Sequence, residues 1–207
     1  MIAVSIISMF IAAPPSASNG EARRVMSGFI SCIINREAYK IRPLLDHPVG
    51  EAPTPNWAAL ADAGCLEYSG SLKFASMLMR GGIYNALYKE DFGKAEPVVN
   101  FEDVPRITYP FASSDSPNSK EADTYRLEMV LGDCIARAQP QESRSLVLSD
   151  VESPQEQSAV QALLPAISSC LPKGQTLTMN KSTIRGFVAE ALYRLTVAKR
   201  NLSHAQG

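Results

Sequence analysis

Apolar residues recur at helical spacing in several stretches of the chain. The clearest is Ile184, Phe187, Val188, Ala191, Leu192 and Leu195, which follow i, i+3, i+4, i+7, i+8 and i+11. That spacing predicts an amphipathic helix with one buried stripe, and Asn180 stands where its N-cap belongs. Val25, Phe29, Ile30, Ile33 and Ile34 mark a first helix, opened by the capping-box pattern Ser18-Asn19-Gly20-Glu21. Between these two, the pattern predicts a short helix with Ile41, Leu44 and Leu45, bent by Pro43 and broken at Asp46-His47-Pro48. A second short helix follows over 57–63, and a longer one over 76–90 with Met79, Ile83, Ala86 and Leu87 on one face. Leu72-Lys73-Phe74 alternates and reads as briefly extended. In the second half, Leu127, Val130, Leu131, Cys134 and Ile135 face inward on a helix over 122–137, and Pro140 opens a short helix with Leu146 and Val147. Ser153-Pro154-Gln155-Glu156 combines an N-cap serine, a proline at the first helical position and a glutamate at the third, a strong helix start. Pro165 is expected to end or kink that helix before Cys170.

The halves resemble each other residue by residue. Cys65-Leu66, Leu72, Arg80-Gly81 and Ala86-Leu87-Tyr88 recur as Cys170-Leu171, Leu177, Arg185-Gly186 and Ala191-Leu192-Tyr193, each 105 positions on, so that eight of 24 residues are identical without a gap. Upstream the offset is 102: Arg24 aligns with Arg126, Cys32 with Cys134, Ile33 with Ile135, Arg42 with Arg144 and Leu44 with Leu146. An internal repeat at fixed period predicts two like units. The expected fold is all-α, with two tandem helical repeats over 19–92 and 122–200 packed as one body, a long irregular linker over 93–121, and a frayed tail over 201–207. In the linker, Val98, Val99, Phe101, Ile107, Tyr109 and Phe111 suit an extended strap, and Ser113 to Ser119 a loose tip.

Residues 1–18 read as a secretory signal peptide. Ile2 to Ala13 is apolar and uncharged, too short to span a bilayer, and small residues and two prolines follow, although no Lys or Arg precedes the run. The four cysteines fit that address. Three pairings are open in principle; the repeat favours Cys32–Cys65 and Cys134–Cys170, since each unit should carry the same bond. Each bond would stabilise by roughly 3–4 kcal/mol through loop closure. The expected location is the periplasm or the exterior, with no stable membrane span after signal cleavage.

Charge adds little. The formal net charge is −1, which favours neither nucleic acid nor an anionic membrane. There are two histidines: His47 sits in a loop and His204 in the tail, so no Ser-His-Asp arrangement forms. The carboxylates show no acid/base pairing, and phosphate-binding, dinucleotide and metal signatures are missing. No cofactor and no metal are expected. Gly81 and Gly186 lie inside helices, where glycine costs about 1 kcal/mol relative to alanine, so another helix should approach closely there, with Ala86 and Ala191 serving the same crossing. The tyrosines after them should reach the rim. Arg80 and Arg185 admit two roles. Each can pin its helix to a loop through carbonyls or a carboxylate, or the two can meet in one groove as an anion clamp.

The pattern of Cys32, Cys65-Leu66, Arg80-Gly81 and Ala86-Leu87-Tyr88, with its second copy, resembles uncharacterised exported proteins of alphaproteobacteria, sphingomonads in particular. The resemblance covers both units but not the linker, and it implies no activity. The first copy departs at Gly82 and Asn85, where the second has Phe187 and Glu190. The function expected is that of an exported, non-catalytic helical interaction or scaffolding protein with an unknown protein partner in the cell envelope. The alternative is a small-molecule or anion-binding module with its site between the repeats near Arg80 and Arg185.

Overall fold

Among the described residues, six α-helices and two 3-10 helices make up the fold, with no strand. The structure is a computed structural model that describes residues 19–60, 64–65, 75–98, 100–171 and 179–205. The expected signal peptide, Ser18, the Leu72-Lys73-Phe74 segment and Leu177 lie outside the described residues. The order is α1 (Asn19–Ile41), 3-10 helices at Arg42–Asp46 and Trp57–Leu60, α2 (Ser76–Phe92), α3 (Ser119–Ala138), α4 (Pro140–Leu148), α5 (Pro154–Cys170) and α6 (Lys181–Ala205).

The centre of the fold is the pair α2 and α6. Helix α3 packs on α6 and α1 on α2, while α4 and α5 close the far side. All six residues of the α6 stripe are buried, as are Met79, Ile83 and Leu87 of α2. Asn180 caps α6, with its side-chain oxygen 3.0 Å from the Thr183 amide. Helix α6 continues to Ala205, past the point where fraying is expected, and Lys199 on it pairs with Asp103 at 2.5 Å.

Two disulfides staple the helices: Cys32–Cys65 ties α1 to the turn after the second 3-10 helix, and Cys134–Cys170 ties α3 to the end of α5. They close loops of 33 and 36 residues. Such bonds mark an oxidising, non-cytoplasmic compartment. No helix among the described residues is long and apolar enough to cross a membrane.

Val25 and Val130 are half exposed, because the buried faces of α1 and α3 are rotated away from them. On α3 the inward positions include Tyr125, Glu128 and Met129. Pro43 stands at the start of its short helix, and that helix is 3-10. Helix α5 runs on past Pro165 to Cys170. Tyr88 is buried rather than at the rim, whereas the Tyr193 hydroxyl does reach Asp91, at 2.8 Å.

The linker is held down. Arg137 of α3 donates to the carbonyls of Phe101, Val104 and Pro105 at 2.8, 2.9 and 2.9 Å, and Phe101 and Val104 are buried beneath. Val49 and Phe111 form an isolated parallel bridge. The serine-rich tip is tied as well: the Ser116 hydroxyl donates to the Gly50 carbonyl at 2.5 Å.

Packing between helices uses matched large and small residues. Ile30 of α1 lies against Gly82 of α2, where an added Cβ would run into the Ile30 Cδ1. On α3 and α6, Gly132 lies against the Phe187 backbone, and a Cβ on Gly132 would come within 2.7 Å of the Phe187 carbonyl oxygen. A Cβ on Gly132 would also stand 3.2 Å from the Ala191 Cβ, so Ala191 serves the α3–α6 contact.

Candidate functional site

Helices α2 and α6 meet at Gly81 and Gly186. A Cβ on Gly81 would stand 2.5 Å from the Gly186 Cα and 3.1 Å from its carbonyl carbon. Only a missing side chain permits this approach. It brings the residue beside each glycine within reach of the opposite helix.

Arg80 reaches Glu190 of α6. Its Nε and one terminal nitrogen donate to the two carboxylate oxygens at 2.9 and 2.8 Å, a bidentate pair between groups 3% and 2% exposed. The same terminal nitrogen donates to the Leu45 carbonyl at 2.8 Å. Arg185 reaches in the opposite sense to Asn85 of α2, at 3.0 Å, and to the Ser149 carbonyl at 3.1 Å. Each arginine thus contacts the residue five positions beyond the other arginine: 190 follows 185, and 85 follows 80. The geometry is reciprocal, but the chemistry is not, because asparagine carries no charge.

Arg185 takes its counter-charge from Glu156 of α5, at 2.9 Å. Glu156 is fully buried and also receives Arg23 of α1, at 2.6 Å. Arg23 in turn pairs with Glu152 and donates to Ser182 at 2.8 Å. The capping signal is real, since the Ser153 hydroxyl accepts from the Glu156 amide at 3.1 Å. The Glu156 carboxylate, however, turns inward, accepts from the Glu152 amide at 2.9 Å, and serves as hub for two arginines.

Glu190 is the second hub. Besides Arg80 it accepts from the Tyr125 hydroxyl at 2.7 Å and from Arg194 at 3.1 Å. Arg194 also donates to the Tyr84 hydroxyl at 2.6 Å, and the Arg80 guanidinium lies 5.4 Å from the Tyr84 ring and 5.2 Å from the Tyr125 ring.

Electrostatics follow from burial against partners. Burial would lower the Arg80 pKa, but the Glu190 charge and hydrogen bonds outweigh it and raise it. Burial, then the Glu190 charge, pushes the Tyr125 hydroxyl up. Arg185 is pulled down by burial, against the opposing attraction of Glu156. Burial would lift the Glu156 carboxyl, but Arg23, the Glu152 amide and the Arg185 charge hold it below the usual range. Glu128 of α3 is pushed up to about 7 by burial and by the nearby Glu190 charge.

The two arginines singled out by the repeat do not line one groove. Arg185 lines a pocket of about 60 Å³ between α1, α2 and α6; Arg80 lines another, of about 30 Å³, under the loop that carries His47 and Trp57. The larger pocket also holds Arg23 and Lys89. Lys89 was not foreseen. It donates to the Ser149 carbonyl at 3.0 Å, and the exposed Asp150 lies 3.9 Å away. Glu156, Glu190 and Arg23 were likewise missed, although Asn85 against Glu190 was visible as a departure between the two copies. Comparison with known protein families, with curated proteins and with solved structures finds no match to this chain.

Proposed function

We propose that this is an exported, non-catalytic helical interaction protein of the periplasm or the exterior, built from two related units and recruited to a protein partner in the cell envelope. The observation that carries the reading is the use made of the repeated charged residues. Arg80 and Arg185 spend their hydrogen bonds inside the protein. They join α2 to α6, and so the first unit to the second. A body locked by a buried ion pair, a matching arginine–asparagine hydrogen bond and two disulfides presents a preformed surface, which lowers the ordering cost of association. The apolar run over 2–13, the four paired cysteines and the resemblance to exported alphaproteobacterial proteins support the address.

The test is crosslinking in the native cell envelope, followed by affinity purification and mass spectrometry under non-reducing conditions. The reading expects one reproducible protein partner, together with Cys32–Cys65 and Cys134–Cys170 peptides. Recovery of the disulfide-linked protein with no crosslinked partner would count against it. A second reading, a small-molecule or anion-binding module with its site between the units, draws support from the pocket that Arg185 shares with Lys89 and Arg23.

A further inference from the structure

The pocket between α1, α2 and α6 has an unusual charge pattern. Its lining contains Arg23, Lys89 and Arg185, but no carboxylate. The carboxylates that serve it, Glu152 and Glu156, stand behind the arginines and compensate those two cations. Lys89 has only a long, solvent-exposed ion pair, with Asp150. Its ammonium carries three donors, of which one is taken by the Ser149 carbonyl; Asp150, at 3.9 Å, is 94% exposed and so well screened. Burial, and then the Arg185 charge, holds the Lys89 pKa below its ordinary value. An anion beside Lys89 would relieve both effects.

The rest of the wall is not suited to a bare inorganic ion. Met26, Ile30, Leu78 and Ala86 give it an apolar side, and Gly81, Gly82 and Gly186 form a floor without side chains. A single ordered water occupies about 10–15 Å³ in this measure, so about 60 Å³ takes a ligand of roughly four to six non-hydrogen atoms.

We propose that this pocket binds a small aliphatic carboxylate, with the carboxylate held by the Lys89 ammonium beside the Arg185 charge and the short tail against Met26, Ile30, Leu78 and Ala86. The inference rests on the second reading above, to which it gives a location and a ligand class; it is independent of the protein-partner reading. Charge-assisted donors fix the head. The tail adds about 0.8 kcal/mol for each buried methylene.

The test uses the full disulfide-bonded chain and two-dimensional amide NMR titrations with acetate, butyrate and inorganic phosphate. Butyrate should move amides around Gly81–Lys89 and Arg185–Gly186, saturate, and bind at least three-fold more tightly than acetate or phosphate. Lys89→Gln should weaken butyrate at least ten-fold with an unchanged unfolding midpoint, while Lys199→Gln, on a distant part of α6, should leave it unaltered. Phosphate binding as tightly as butyrate at the same amides would overturn the carboxylate assignment and leave an anion site. No localised shift with any of the three anions would overturn the site itself. Butyrate binding that Lys89→Gln does not change would overturn the role given to Lys89.

Discussion

Adding one methyl group at the helix crossing should have very different effects on its two sides. In Gly81→Ala the new Cβ stands 2.5 Å from the Gly186 Cα, about 0.9 Å short of the 3.4 Å at which ordinary contact begins. The obstacle is backbone, so no rotamer change relieves it, and α2 and α6 must separate. Overpacking of this kind costs about 1–3 kcal/mol, and a backbone clash belongs at the upper end. Replacing a helical glycine returns about 1 kcal/mol. The net loss is about 2 kcal/mol, which for a chain of this length lowers Tm by about 4–8 °C. In Gly186→Ala the Cβ meets the Gly81 Cα at 3.3 Å, a shortfall that a few tenths of an ångström relieves. Its cost and the propensity gain nearly cancel, so that variant should lie within about 0.5 kcal/mol of the wild type. Urea unfolding under non-reducing conditions, with thermal melts beside it, measures both. If Gly81→Ala is as stable as Gly186→Ala, the two helices do not cross at this distance and the reasoning fails.

Glu128 should make stability depend on pH. Its folded pKa is about 7 against an ordinary 4.5, so the unfolded chain releases this proton first as pH rises. Stability is therefore lost between about pH 4.5 and about pH 7, by up to about 3 kcal/mol. Glu128→Gln should be more stable than the wild type at pH 8 and nearly equal at pH 4.5, in urea titrations at the two values. Glu156 acts in the opposite direction, because its carboxyl is held low; its contribution is present at neutral pH and fades in acid. Glu156→Gln should cost about 3–5 kcal/mol at pH 7, with the gap to the wild type shrinking below about pH 4 in the same assay. Cys134→Ser/Cys170→Ser opens a loop of 36 residues and should cost about 4 kcal/mol, read by denaturant midpoint against the intact protein.

Periodicity and punctuation made most of the architecture legible. The α6 stripe, the Ser153-Pro154 start of α5 and the Asn180 cap are local signals, and the structure contains all three. The disulfide pairs followed from the two aligned copies. The glycines announced a close helix approach because glycine inside a helix is costly unless another helix needs the space. What could not be read were partners distant in sequence. Arg80 and Glu190 are 110 residues apart, and nothing near either position names the other. Glu156 gave a strong local signal as a capping glutamate, and that signal hid its second use as a buried acceptor. Val25 and Val130 fit a helical stripe but sit at its outer edge, where a rotation of the helix decides exposure. The pocket depends on three segments meeting, α1, α2 and α6, so Lys89 was indistinguishable in the sequence from an ordinary surface lysine near a helix end.

Arg80 locks α2 to α6 through a buried ion pair with Glu190. A double-mutant cycle on Arg80 and Glu190 tests it most directly, with Arg80→Met, Glu190→Met and the double variant unfolded in urea with disulfides intact. Removing one partner of a buried pair leaves an uncompensated charge and should cost about 3–5 kcal/mol in each single variant. The double variant should then lose at least about 2 kcal/mol less than the sum of the singles. Losses that add to within about 0.5 kcal/mol would mean that the two side chains act independently, and would contradict the lock.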